Sequence, residues 1–216
     1  MLKYLSGKIE FVIFAILVVV GVGGYFGWNL YSERYQVKAF SFDPSDIVDD
    51  AFYAAYKAYM AWVDDGVKGG SNNKLKTELK SNLQPFYKNN LSDVRFAYTT
   101  RFDDLGMTDC ERIYFGNKEM VDNLKAGKTL TKSQLRWLAH ELEHTEQCNR
   151  VGGRKKYSIR WFKQVKNIAL LAIKSGNFKN IVSDIANAQK LAKYDDAMPM
   201  EKEADTKAET VVKALR

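Results

Sequence analysis

Two histidines are all this chain contains, and both fall in the string HELEH at residues 140–144. On a helix, positions four apart share a face, so His140 and His144 can turn their imidazoles toward one metal ion. Glu141 then stands beside that metal, where its carboxylate can take a proton from a water molecule activated by zinc. A pattern this short also arises by chance in helices whose histidines are merely solvated. Two features argue for more. The whole histidine complement sits at ligand spacing, and a third ligand is available downstream.

That ligand lies in MPMEKEADTKAETVVKAL, residues 198–215, which reads as a helix with Pro199 in its first turn. Glu201 and Asp205 are four apart and share a face. A zinc site of the His, His, Glu type draws one carboxylate from a separate helix and leaves the fourth position for water. Glu201 is the candidate, giving one zinc per chain. Asp205, one turn on, is placed to accept the free ring N–H of a ligating histidine and fix its tautomer. Glu203 points about 200° away around the helix and reads as solvated. Each of Glu201, Glu203 and Glu209 also fits an ordinary charged surface.

Several elements must position these groups. TLTKSQLRWLAHELEHTEQC opens with Thr131 and Gln134 at capping-box spacing. Leu135, Leu138, Ala139 and Leu142 give it an apolar stripe, and Gly152 and Gly153 stop it. Ahead of it, VRFAYTTRF (94–102) and RIYFG (112–116) read as strands, with DDLGMTD between them as a turn. The two are expected to form a small antiparallel sheet against the HELEH helix. The segment from Ser45 to Gly66 reads as a helix whose Phe52, Tyr56, Tyr59, Met60 and Val63 belong to the core. VKGGSNN follows as a flexible connection, then a helix over about 73–84 that Pro85 breaks. Residues 157–193 read as two helices parted at 175–177, with Trp161 and Phe162 as packing residues. Tyr194, Asp195 and Asp196 then turn into the Glu201 helix.

These pieces resemble the gluzincin branch of the zincin metallopeptidases, in which HExxH supplies two ligands and a glutamate on a later helix the third. LRWLAHELEHTEQC and PMEKEAD are also similar to bacterial zincin-like domains of poorly known function, which carry an HExxHxxQ helix and a closing PxExEA helix. The resemblance covers roughly residues 90–205. It implies His140, His144 and Glu201 as zinc ligands and Glu141 as general base. It also implies an edge strand above the helix that binds an extended substrate by strand addition, for which Arg112, Ile113, Tyr114 and Phe115 are the candidates. A further group commonly stabilises the oxyanion in such enzymes. Tyr194, Tyr157 and Arg160 are the choices, and the sequence does not select among them.

Phe11 to Tyr31 contains no charged residue, and its 21 residues span about 30 Å as a helix, enough to cross a bilayer. Lys3 and Lys8 precede it, while Tyr25, Trp28 and Tyr31 crowd its far end. A cleaved signal peptide competes with a retained anchor, but no A-x-A pattern follows, which favours the anchor. The only two cysteines, Cys110 and Cys148, can tie the second strand to the end of the HELEH helix in an oxidising compartment. The expected order is a short basic segment (1–10), a membrane anchor (11–31), a linker (32–44) and one α+β, mainly α domain (45–216) outside the cytoplasmic membrane.

The formal net charge is +7, with Lys and Arg spread along the chain. The one dense cluster, Arg150 with Arg154 to Lys156, reads as a solvated turn or a contact for an anionic envelope surface. No nucleic-acid motif accompanies the charge, so no nucleic-acid partner is expected. The sequence therefore points to a membrane-anchored zinc metallopeptidase acting on peptide or protein. A zinc hydrolase of another amide bond shares the same residues. A third reading is a non-catalytic envelope or secretion-associated interaction module with a structural or vestigial zinc site.

Overall fold

The computed structural model describes residues 44–103, 105–175 and 198–216. The expected membrane anchor at 11–31, its flanking segments and the turn at 194–196 lie outside the described residues. Among those described, no helix is long and apolar enough to cross a membrane.

The architecture is α+β and mainly helical around one small mixed sheet. In chain order the elements are α1 (Pro44–Asp65), β1 (Val67–Lys74), α2 (Thr77–Leu83), β2 (Arg95–Thr99), β3 (Gly106–Asp109), β4 (Arg112–Phe115), α3 (Lys118–Ala126), α4 (Lys132–Arg150), α5 (Arg154–Ser175) and α6 (Pro199–Leu215). A single 3-10 turn at Gln84–Phe86 follows α2, where Pro85 ends the regular helix.

The sheet order is β1-β2-β4-β3. Side chains alternate across it, which gives it two buried faces. Phe96, Ile113 and Phe115 pack into a core with Leu135, Leu138 and Leu142 of α4 and Val211 and Val212 of α6. Ala97 and Tyr114 face the other way, under Phe52, Tyr56, Met60 and Val63 of α1 and Phe162 of α5. The aromatics expected in the core from α1 are there, though Tyr59 is only half-buried, and Phe162 stacks on Phe52 with ring centroids 5.5 Å apart.

Four expectations about the sheet are corrected. β2 and β4 pair in parallel, Arg95 opposite Arg112 through Tyr98 opposite Phe115, so the sheet is mixed and not antiparallel. The cause is in the connection between them. Part of the stretch expected to be a turn, Gly106–Asp109, is a strand that takes the antiparallel slot on the far side of β4. VKGGSNN is likewise a strand, paired antiparallel with β2, its register broken between Lys68 and Asn73 where Gly69 and Gly70 adopt positive φ. The second helix accordingly begins at Thr77 and not near Asn73. β4 is therefore an inner strand. Arg112, Ile113, Tyr114 and Phe115 have no free backbone edge to offer a substrate. Their side chains are also engaged: Ile113 and Phe115 in the core, Tyr114 beneath α1, and Arg112 on Asp64 at 2.8 Å.

The helix that carries HELEH is delimited as its sequence implies. Thr131 accepts from Gln134 N–H, and the Gln134 side chain accepts from Thr131 N–H, completing the capping box. At the other end Gly152 and Gly153 have φ of 91° and 103°. Gly153 N–H reaches the Cys148 carbonyl and Gly152 N–H the Asn149 carbonyl, a Schellman closure. The chain reverses there, and α5 returns past α4.

Cys110 and Cys148 form a disulfide with Cα atoms 5.4 Å apart, joining the β3–β4 turn to the last turn of α4. Cys110 holds a φ of 53°, an unfavourable backbone state for a residue with a β-carbon. The bridge closes a loop of 38 residues. Replacing both cysteines by serine is expected to lower unfolding free energy by about 2–4 kcal/mol in denaturant titration. Thiol labelling of the native chain without reductant should find neither cysteine free; labelling of both would contradict the bridge.

Candidate metal centre

α4 carries His140 and His144 one turn apart, with Nε2 atoms 3.1 Å from each other. Glu201, in the first turn of α6, brings its Oε2 to 3.2 Å from His140 Nε2 and 3.3 Å from His144 Nε2. Zinc bonds of about 2.0–2.1 Å at tetrahedral angles would hold ligand atoms about 3.3–3.4 Å apart. The three donors are thus already spaced as ligands around one point, and they form a group able to hold a metal ion.

Both imidazoles are oriented from behind. His140 Nδ1 lies 3.0 Å from Asp205 Oδ1, and His144 Nδ1 lies 2.9 Å from Gln147 Oε1. With each Nδ1–H donated to an oxygen, each Nε2 lone pair is left for the metal. Asp205 is held in turn by Arg136 at 3.0 Å. Gln147 spends its amide N–H groups on the Met200 carbonyl at 2.8 Å and Glu203 Oε2 at 3.1 Å. Gln164 of α5 accepts from Met200 N–H at 3.1 Å. Two glutamines from two helices therefore fix the start of α6, which is how Glu201 reaches a pair of histidines far back in the chain. Glu203 is exposed, as expected, though its carboxylate binds Arg150 at 2.6 Å.

No protein-family model, curated protein or solved structure matches this chain. The site is read from its geometry.

Glu141 is buried, 4 % exposed, against β3. Thr108 donates its hydroxyl to Glu141 Oε2 at 2.7 Å, and a β-carbon at Gly106 would collide with the same carboxylate. β3, the strand not foreseen in the sequence, is what seats this residue. Tyr157 of α5 is buried with its ring centroid 6.3 Å from that of His144. Burial, reinforced by Tyr56, Glu201 and Glu141, holds its hydroxyl protonated far above neutral pH. Arg160 is exposed and lines a cavity with Gln147, Arg150 and Glu203. Among the described residues no ion pair joins it to the three ligands. Tyr194 lies outside the described residues. Trp161, expected only to pack, also donates its indole N–H to Glu201 Oε1 at 3.4 Å.

The charges are coupled. Burial alone would lower the His140 pKa, but hydrogen bonds to Asp205 and Glu201 outweigh it and raise it to about 10. His144 is raised too, its burial being outweighed by Glu201. For Glu201, burial is outweighed by the two histidines, which hold it well below the usual carboxylate range. In the metal-free protein the imidazolium on His140 is therefore a native-state contact. Its stabilisation is complete below the unfolded value near pH 6.5 and disappears as pH rises through about 10. Metal needs the neutral ring, so protons compete with it. Apparent zinc affinity should rise by about tenfold per pH unit for each proton displaced, from about pH 6 toward about pH 10. Chelator competition across that range measures it; a flat profile would contradict the coupling.

Proposed function

We propose that this chain is a zinc-dependent hydrolase of amide bonds, a peptidase of the zincin type, with Glu141 as general base. The observation that carries the reading is the ligand spacing of 3.1–3.3 Å among His140, His144 and Glu201, with Glu141 seated in the same helix turn. A zinc ion held there would polarise a water molecule and the substrate carbonyl. Glu141 accepts the proton of the attacking water and returns it to the leaving amine. Thr108 keeps that carboxylate aimed while it does so. Tyr157, protonated and beside His144, donates a hydrogen bond to the carbonyl oxygen as negative charge develops there. Asp205 and Gln147 hold the two histidines in register.

The strand-addition role expected of β4 passes to β3, the edge strand against α4. In this reading residues 11–31 anchor the chain in a bilayer, and the disulfide supports a domain outside the cytoplasm.

A structural zinc site in a non-catalytic interaction module has two observations in its favour: Glu141 and His144 are 4 % and 5 % exposed, and Trp161 donates to Glu201. The experiment that separates the two is peptide-library hydrolysis by the full zinc-loaded chain against its Glu141→Gln variant. Cleavage lost in the variant with zinc retained supports the hydrolase; no cleavage by either supports the module.

A further inference from the structure

β3 is the strand an extended ligand would join, and only part of it is open. The Leu105 carbonyl accepts from Gly116 N–H at 2.9 Å, which sets the phase of the β3–β4 ladder. Leu105, Met107 and Asp109 turn their backbone groups to β4, while Gly106 and Thr108 turn theirs outward. Gly106 stands against Glu141, and among the described residues no hydrogen bond takes its outward groups. At Thr108 the outward carbonyl is already taken, by the Tyr56 hydroxyl at 3.2 Å. The same hydroxyl also lies 3.2 Å from Asp109 Oδ1, which Arg154 Nε holds at 2.7 Å. Immediately beyond, the Cys110–Cys148 bond closes the turn. Among the described residues, therefore, the edge is unpaired beside Glu141 and taken at Thr108.

α5 marks how near that stop is to the metal ligands. Arg154, Tyr157 and Trp161, at spacings of three and four, lie along one side of the helix. Tyr157 faces His144 and Trp161 faces Glu201, so Arg154 sits one turn away on the Asp109 side. That is about 4.5 Å of helix rise, a little more than the 3.3–3.6 Å or so of one extended residue.

Building on the hydrolase reading above, we propose that this site takes the ends of peptides, with about two residues at most on the Asp109 side, and that Tyr56 is the stop. A chain that runs along β3 and on past Thr108 would have to displace Tyr56 from Thr108 and Arg154 from Asp109. A chain that ends there would not.

The test compares retention of mixed-sequence linear octapeptides with that of their head-to-tail cyclised counterparts, which have no ends. The protein is the full-length Glu141→Gln variant loaded with zinc, so that binding is read without turnover. Linear peptides should bind at least about tenfold more tightly, and adding Tyr56→Phe should shrink the gap to about threefold, the size of one or two strand hydrogen bonds. Terminal acetylation and amidation, in separate arms, identify which end is seated. Equal retention of linear and cyclic peptides, or none of either with zinc bound, would overturn the proposal. The comparison in the unaltered Tyr56 background decides this even if Tyr56→Phe folds poorly. Failure of the chain to hold zinc would instead overturn the hydrolase reading on which it rests.

Discussion

Replacing His144 with alanine is expected to cost this chain its metal while leaving the fold in place. Structural zinc binding is worth about 10–16 kcal/mol in total, so one of four ligands carries roughly 2.5–4 kcal/mol, or about two to three orders of magnitude in affinity. The loss extends past the missing nitrogen. His144 and His140 are what hold the Glu201 carboxylate ionised against its burial. With one imidazole gone, Glu201 is left partly uncompensated and takes up a proton more readily, which weakens a second ligand. Gln147 also loses the acceptor role that orients its amide, although its bonds to Met200 and Glu203 remain. Metal analysis of the purified full chain should give one zinc per unaltered protein and none in the variant after mild chelation. Equal zinc in both would sink the site.

The second large effect is on rate. Glu141→Gln preserves volume and can still accept from Thr108, so zinc content and thermal stability should hold within error. Amide hydrolysis should fall by about a hundredfold to ten-thousandfold, the usual contribution of a positioned general base. A companion substitution separates position from chemistry. Gly106→Ala keeps Glu141 but drives a methyl into its carboxylate, so it should also lose activity with zinc retained. Full activity in Gly106→Ala would mean that β3 does not seat the base.

The parts of this site that could be read from the chain are those whose partners sit one helical turn away. His140 and His144, Glu201 with Asp205, and Thr131 with Gln134 are all i,i+3 or i,i+4 relations, and helix geometry alone fixes them. Even the contact between Asp205 and His140 follows once both helices are placed on one metal. What stayed illegible depends on register between distant segments. GMTD and VKGGSNNK are too short or too rich in Gly and Asn to announce strands, and they become strands only because β4 and β2 offer ladders to pair with. Without β3 in view, β4 reads as an edge strand; with it, β4 is an inner strand. Gln147 was visible in the motif, but nothing local says that its amide would span His144 and Met200. Thr108 and Trp161 gave no signal at all: a threonine in a turn-like stretch and a tryptophan on an apolar helix have many ordinary uses.

The origin of the ligands has a consequence for when the site can exist. Two come from α4 and the third from α6, with all of α5 between them in the chain, and the start of α6 is docked by glutamines from both earlier helices. A nascent chain whose synthesis has not reached Glu201, or a fragment clipped ahead of Pro199, carries the HELEH helix without the means to close a ring of donors around a metal. The ring of three donors therefore closes only when α6 has been made and docked on α4 and α5.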